Sequence, residues 1–250
     1  VAVSFIAAIF TFEARFPISP HDYGYFFGPV YEVIQGKTLF TNAYTDYGFY
    51  ATLFFALLYK LRLFDFPQLP VFIWFLFIVQ YTICFYLIYK VSRSAVLALL
   101  GFFAIITINY FSYSVLPITI PQYSAMRRLP SILLLFIFFK VKKIDSKMLI
   151  ASVCLVDFWI VDVGVSIVLA YSAFLFVSLL SKQISLKRFF IAIATLIFFQ
   201  AGVFLLINSV HILAGYQPIS LAKVFHCLRL HAGTGLTMIK IDFNNFFWVY

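Results

Sequence analysis

Charge is what this chain has least of: 11% of its 250 residues are Asp, Glu, Lys or Arg, and only nine are acidic. A soluble domain carries about 25% charged residues. With 64% hydrophobic residues and a mean hydropathy of +1.03, the chain cannot cover itself with water-facing side chains. A soluble all-helical core needs polar faces on its helices, and 71–89 and 95–111 have almost none. Cysteine is scarce too. Cys84, Cys154 and Cys227 are odd in number and widely spaced, so neither a disulfide framework nor a metal knuckle follows. Walker loop, Rossmann glycine pattern, HExxH and Cys-rich ligand sets are all missing, as are internal repeats and low-complexity segments. Nor is there a basic n-region with a small-residue cleavage site, which argues against a signal peptide.

What remains is a set of apolar runs separated by short basic clusters. The net charge of +9 would suggest nucleic acid in a soluble protein. Here the cations at 90–93, 140–147 and 182–188 alternate with apolar runs, the pattern that orients a membrane protein and meets anionic head groups, and no nucleic-acid partner is implied. Runs at 71–89, 95–113 and 189–208 are long enough to cross ~30 Å of hydrocarbon at ~1.5 Å per residue. Shorter runs lie at 47–63 and 129–141, and 148–159 and 164–180 form a pair around a pivot holding Asp157 and Asp162. Asp162 is expected to cap the helix at Gly164, and His211 is expected to be structural. The fold class expected is all-α: a polytopic transmembrane helix bundle with interfacial helices in an external first loop. One transmembrane domain, 1–250, is expected, divided into a first external loop (13–46), a bundle (47–208) and a second external loop (209–245). The chain starts inside an apolar run without Met and ends as another begins, so it reads as a fragment, with 1–12 the tail of a first span.

Placing the basic clusters in the cytoplasm puts 114–128, 157–163 and 209–245 on the outer side. One conflict arises. If 47–63 crosses completely, the opening loop and the 63–70 turn fall on opposite faces.

The opening stretch, 12–50, is the main polar interruption and holds Glu13, Asp22, Glu32 and Asp46. Pro17 and Pro20 end the preceding span, Ser19 or Asp22 can cap a helix, and Gly36 can stop it. Gly28-Pro29 predicts a break or a second helix start. Tyrosines and apolar residues mixed with Glu32 suit an interfacial helix. In the late loop, Ser220 can cap a helix with Leu221, Val224, Phe225 and Leu228 on one face and Lys223, His226 and Arg229 on the other. That helix reads either as a membrane anchor or as a cationic wall for a lipid phosphate.

Asp22, in Pro20-His21-Asp22 at the mouth of the membrane, is either a helix cap or a base within reach of an acceptor hydroxyl. An apolar helix, then Pro-x-acidic, then Gly36 followed by Lys37-x-Leu39-Phe40, then Asp46-Tyr47-Gly48, resembles the first external loop of GT-C type glycosyltransferases. These polyprenyl-phosphate-sugar-dependent membrane enzymes include protein O-mannosyltransferases and the aminoarabinose transferases of lipid A. Trp159-x-x-Asp162-x-Gly164 and a late aromatic loop add partial matches. The family's loop typically carries an Asp-Glu pair. Asp22 falls on the second acidic position and His21 replaces the first. The resemblance implies that Asp22, beside His21, activates the acceptor, and that sugar leaves a polyprenyl-phosphate donor for a glycan, lipid or protein acceptor. It implies a multi-pass protein of the bacterial inner membrane, surrounded by membrane lipids. The leaving phosphate calls for cations: Arg127 and Arg128 first, then Lys37, Lys223, Arg229 and His226. Asp46 can accept hydroxyl hydrogen bonds from a sugar. The carboxylates suit at most a weak Mg²⁺ or Mn²⁺ site. The alternative is a non-enzymatic transporter or scaffold for polysaccharide or lipid-linked sugar. A transporter buries charges or broken helices near the middle of the bilayer.

Overall fold

The computed structural model describes residues 4, 6, 20–45, 48–111, 124–141 and 143–226. They are mostly helical, and among them no strand forms beyond one isolated bridge, Leu39 to Ala43. The helices are α1 (Pro20–Ile34), α2 (Phe49–Lys60), α3 (Leu69–Ser92), α4 (Ala95–Phe111), α5 (Ala125–Val141), α6 (Lys147–Asp157), α7 (Val161–Leu180) and α8 (Leu186–Leu213). Three are long and apolar enough to cross a membrane: α3 with the short 3-10 turn before it, α7 from Val163, and α8.

Local chemistry sets the ends. Ser146 and Ser185 cap α6 and α8 by accepting from Leu149 N and Arg188 N. Gly36, at φ 94°, closes α1: Lys37 N–H bonds Glu32 O and Gly36 N–H bonds Val33 O, each at 3.0 Å. Two expectations are corrected. Pro29 does not break α1, which runs through it. Its fixed φ is already helical, and the face bearing Phe26, Val30 and Val33 is buried against the neighbouring core. The N-cap of α7 is Ile160, not Asp162, and Ile160 makes no side-chain cap hydrogen bond. In addition, α8 continues to Leu213, so 209–213 are helix rather than loop.

The packing has two ends. At the basic end, Tyr171 Oη donates to Ile144 O (2.6 Å), Arg188 Nε lies 3.8 Å from Asp145 Oδ2, and Lys90 sits over the Phe139 ring. There Ile150, Val153, Leu175 and Leu196 form one core. A second core holds Phe26, Leu39, Phe49, Phe55 and Ile73, and α8 contributes to both, through Leu196 and Ile207. At the opposite, loop end, the Phe27 and Phe66 rings lie 4.6 Å apart and Lys60 Nζ donates to Tyr216 Oη at 2.6 Å.

The joint between these halves is the central feature. α2 has 12 residues and α6 has 11, roughly 18 and 16 Å at ~1.5 Å per residue, each too short to cross ~30 Å of hydrocarbon. They meet end to end. Tyr50 N–H, one of the first-turn donors that a helix leaves unpaired, bonds Phe158 O just past α6, at 3.0 Å. The Phe49 ring packs on Phe158 and on Phe204 of α8. Gly48, at φ 93°, fits there because a Cβ would stand 2.8 Å from Trp159 O. α2 therefore starts at this seam and runs to the loop end. Lys60, beside the 63–70 turn, and Thr41 of the described segment 36–45 both bond the late segment, at Tyr216 and Pro218.

Candidate functional site

Two apolar grooves flank α2. The first, about 400 Å³, runs between α2, α3, α5 and α6 and is lined by Phe54, Leu76, Met126, Leu133, Leu155 and Trp159 among others. It is almost wholly apolar, and the indole N–H of Trp159 is satisfied by Met126 O at 3.0 Å. Its α5 wall begins at Ala125 and Met126, in the same helical turn as half-buried Arg127 and Arg128. Ser124 organises that turn, its Oγ accepting from Met126 N (3.2 Å) and its carbonyl from Arg127 N (3.2 Å). The arginines flank the groove's end and do not line it. The second groove lies on the other side of α2, against α1 and α8.

Of the remaining predicted cations, Lys37, Lys223 and His226 are described and lie at the loop end. The segment 36–45 is a tight knot in which Thr38 O accepts from Thr41, Asn42 and Ala43, and Asn42 Oδ1 accepts from Thr38 N. Its apolar residues Leu39, Phe40 and Ala43 are buried. Phe40 holds a left-handed conformation, φ 56°, with its ring 4.7 Å from that of Phe49. Lys37 opens this knot and is paired to Glu32 at 2.8 Å, both side chains partly exposed. Lys223 reaches the same knot from the late segment and donates to Thr41 O at 2.5 Å, while Thr41 Oγ1 donates to Pro218 O at 2.9 Å. Ser220 caps the helical turn that begins at Leu221 as expected, accepting from Lys223 N at 3.4 Å, and His226 is exposed. His211 is buried, as expected of a structural residue, and its Nδ1 lies 3.1 Å from Ile207 O.

Thus Lys37 and Lys223 converge on one loop, and Arg127 and Arg128 stand apart from them at the first groove. His21 and Asp22 occupy the first turn of α1. Asp46 and Arg229 lie outside the described residues. Among the described residues no three His, Cys, Asp or Glu side chains gather to hold a metal ion.

Sequence reasoning missed Gln200, whose Nε2 donates to Asp157 Oδ2 at 2.9 Å, halfway along α8. A carboxylate at the C-terminal end of α6 opposes that helix's own dipole, and the amide donor offsets part of the cost. A lone Gln in an apolar run was the available signal. Lys60 and Arg62 were also passed over, because they read only as the end of the 47–63 run.

No family model, no curated protein and no solved structure matches this chain.

Proposed function

We propose that this protein is a multi-pass membrane glycosyltransferase of the bacterial inner membrane, moving a sugar from a polyprenyl-phosphate donor to an acceptor on the extracytoplasmic face. The observation that carries the reading is the first groove, an apolar channel for a prenyl chain with Arg127 and Arg128 at its α5 end. A guanidinium grips a phosphate oxygen pair, and two of them stabilise the charge that develops as the phosphate leaves. Asp22 takes the proton of the acceptor hydroxyl while its oxygen attacks the anomeric carbon. The bond from that carbon to the phosphate oxygen breaks, and polyprenyl phosphate departs with the electron pair. The docking of Lys223 onto the Lys37 loop supports a composite outer surface facing the acceptor.

The test is transfer by the full-length protein in vesicles containing polyprenyl-phosphate sugars. Asp22→Asn is expected to lower kcat by ~10²–10⁴-fold with little change in donor KM, the usual worth of a positioned base. Arg127→Gln with Arg128→Gln is expected to raise donor KM at least ~10-fold, from the loss of charge-assisted hydrogen bonds. Equal transfer by wild type and Asp22→Asn removes Asp22 from the mechanism.

One observation favours the second reading, a non-enzymatic transporter of lipid-linked sugar. The α2–α6 seam is a helix break with a carboxylate beside it, halfway along the longest apolar helix. In the same vesicles, donor that changes leaflets without yielding product, and that stops doing so in Asp157→Leu, supports transport over transfer.

A further inference from the structure

The second groove, about 360 Å³, is lined by Val33 of α1, Leu53 and Leu57 of α2, and Leu206 and Val210 of α8. Leu57, Leu206 and Val210 are each more than half exposed, so the groove opens sideways. Its end is polar, formed by Lys60, His211 and Tyr216. Lys60 also lines an adjoining cleft of about 490 Å³ with Tyr59, Arg62, Asp65 and Gln68. The polar groups of that cleft divide by what they already do. Asp65 carboxylate accepts from Phe66 N at 2.8 Å, and Gln68 Oε1 accepts from Asp65 N at 3.1 Å, so both are committed to capping the 3-10 turn. Lys60 Nζ uses one of its three donors on Tyr216 Oη. Arg62 projects from a left-handed position, φ 57°, just past α2, where its own N–H is satisfied by Tyr59 O at 2.9 Å. A laterally open apolar groove thus runs into a cleft whose net charge is cationic, Lys60 and Arg62 against Asp65.

We infer that this groove and cleft bind a membrane lipid with an anionic head group, one acyl chain against Leu53, Leu57 and Val210 and the phosphate between Lys60 and Arg62. Charge selects the occupant. A zwitterionic lipid brings its own ammonium to two cations, whereas an anionic lipid brings only the phosphate that both attract. The site is distinct from the groove near Arg127, because Phe54 faces that groove while Leu53 and Leu57, on the other flank of α2, face this one. It does not depend on the transferase reading.

The experiment uses the full-length protein with a photoreactive side chain at position 57, reconstituted in vesicles of equal phosphatidylglycerol and phosphatidylcholine, with crosslinked lipids identified by mass spectrometry. Phosphatidylglycerol adducts are expected to exceed phosphatidylcholine adducts by about tenfold, the order that two cations opposed by one carboxylate supply at a head group. In Lys60→Gln with Arg62→Gln the ratio is expected to fall to that of the vesicle. A second photoreactive side chain, at position 133 in the first groove, keeps its adduct pattern in that double variant if the fold is intact. Adducts in the vesicle ratio in the protein with Lys60 and Arg62 intact, crosslinks to a second copy of the chain, or no lipid adduct at position 57 would each overturn the assignment.

Discussion

Gly164 faces the C-terminal end of α6 so closely that a Cβ would collide with the carbonyl oxygen and Cα of Asp157, whereas Gly202 on α8 has nothing within 4 Å. The neighbour at Gly164 is backbone and cannot swing aside. Gly164→Ala is therefore expected to lower the thermal midpoint in detergent, by at least the ~1–3 kcal/mol typical of overpacking. Gly202→Ala is expected to leave it unchanged or raise it, and equal effects of the two would refute the close approach. At this scale much was legible. Gly36 as a stop and Ser220 as a cap are signals carried by single residue types. Other helix ends gave no such signal. α3 stops with Arg93 at φ 55°, and Arg62 and Lys182 hold the same left-handed conformation, positions where Gly is the usual marker. A cation near the last carbonyls complements the helix dipole and offsets the backbone cost. Pro29 was misleading for the reverse reason: its local signal pointed to a break, and burial of the surrounding face outweighed it.

The α2–α6 column concentrates its packing in Phe49, which is 2% exposed and touches the rings of Phe40, Phe158 and Phe204. Phe49→Ala is expected to cost ~3–5 kcal/mol, the usual range for a buried Phe, and to free the two half-helices from each other. Phe103→Ala, at a ring 56% exposed on α4, serves as the control and is expected to change the midpoint little. If the two substitutions lower the thermal midpoint equally, the seam is not where the column is held. The sequence showed that 47–63 and 148–159 were short. It gave no sign that they stack, because hydrophobic period reports which face of a helix is buried and never which distant segment buries it. The grooves were invisible for the same reason: each is made by three or four helices whose register depends on that stacking.

For the molecule as a whole, basic residues such as Lys90 and Arg188 meet 139–145 at one end, and the described segment 36–45, Lys60 before the 63–70 turn and the late segment meet at the other. In a cysteine-free background, Tyr44→Cys and Leu63→Cys are expected to react with an impermeant thiol reagent in intact cells, and Lys182→Cys only after permeabilisation. Tyr44 and Leu63 labelling from opposite sides would mean that α2 crosses after all. Charge counting grouped the cations at 90–93, 140–147 and 182–188, a composition signal, and Lys90 over Phe139 and Arg188 beside Asp145 lie together in the fold. The seam also imposes an order on biosynthesis. α2 leaves the ribosome on the order of a hundred residues before Phe158 does, and at 5–20 residues per second its first turn waits roughly 5–20 s for the carbonyl that Tyr50 N–H will bond. During that interval the upper half of the column is a short apolar helix with no lower half. It must be sheltered by the insertion machinery or by lipid until α6 is made.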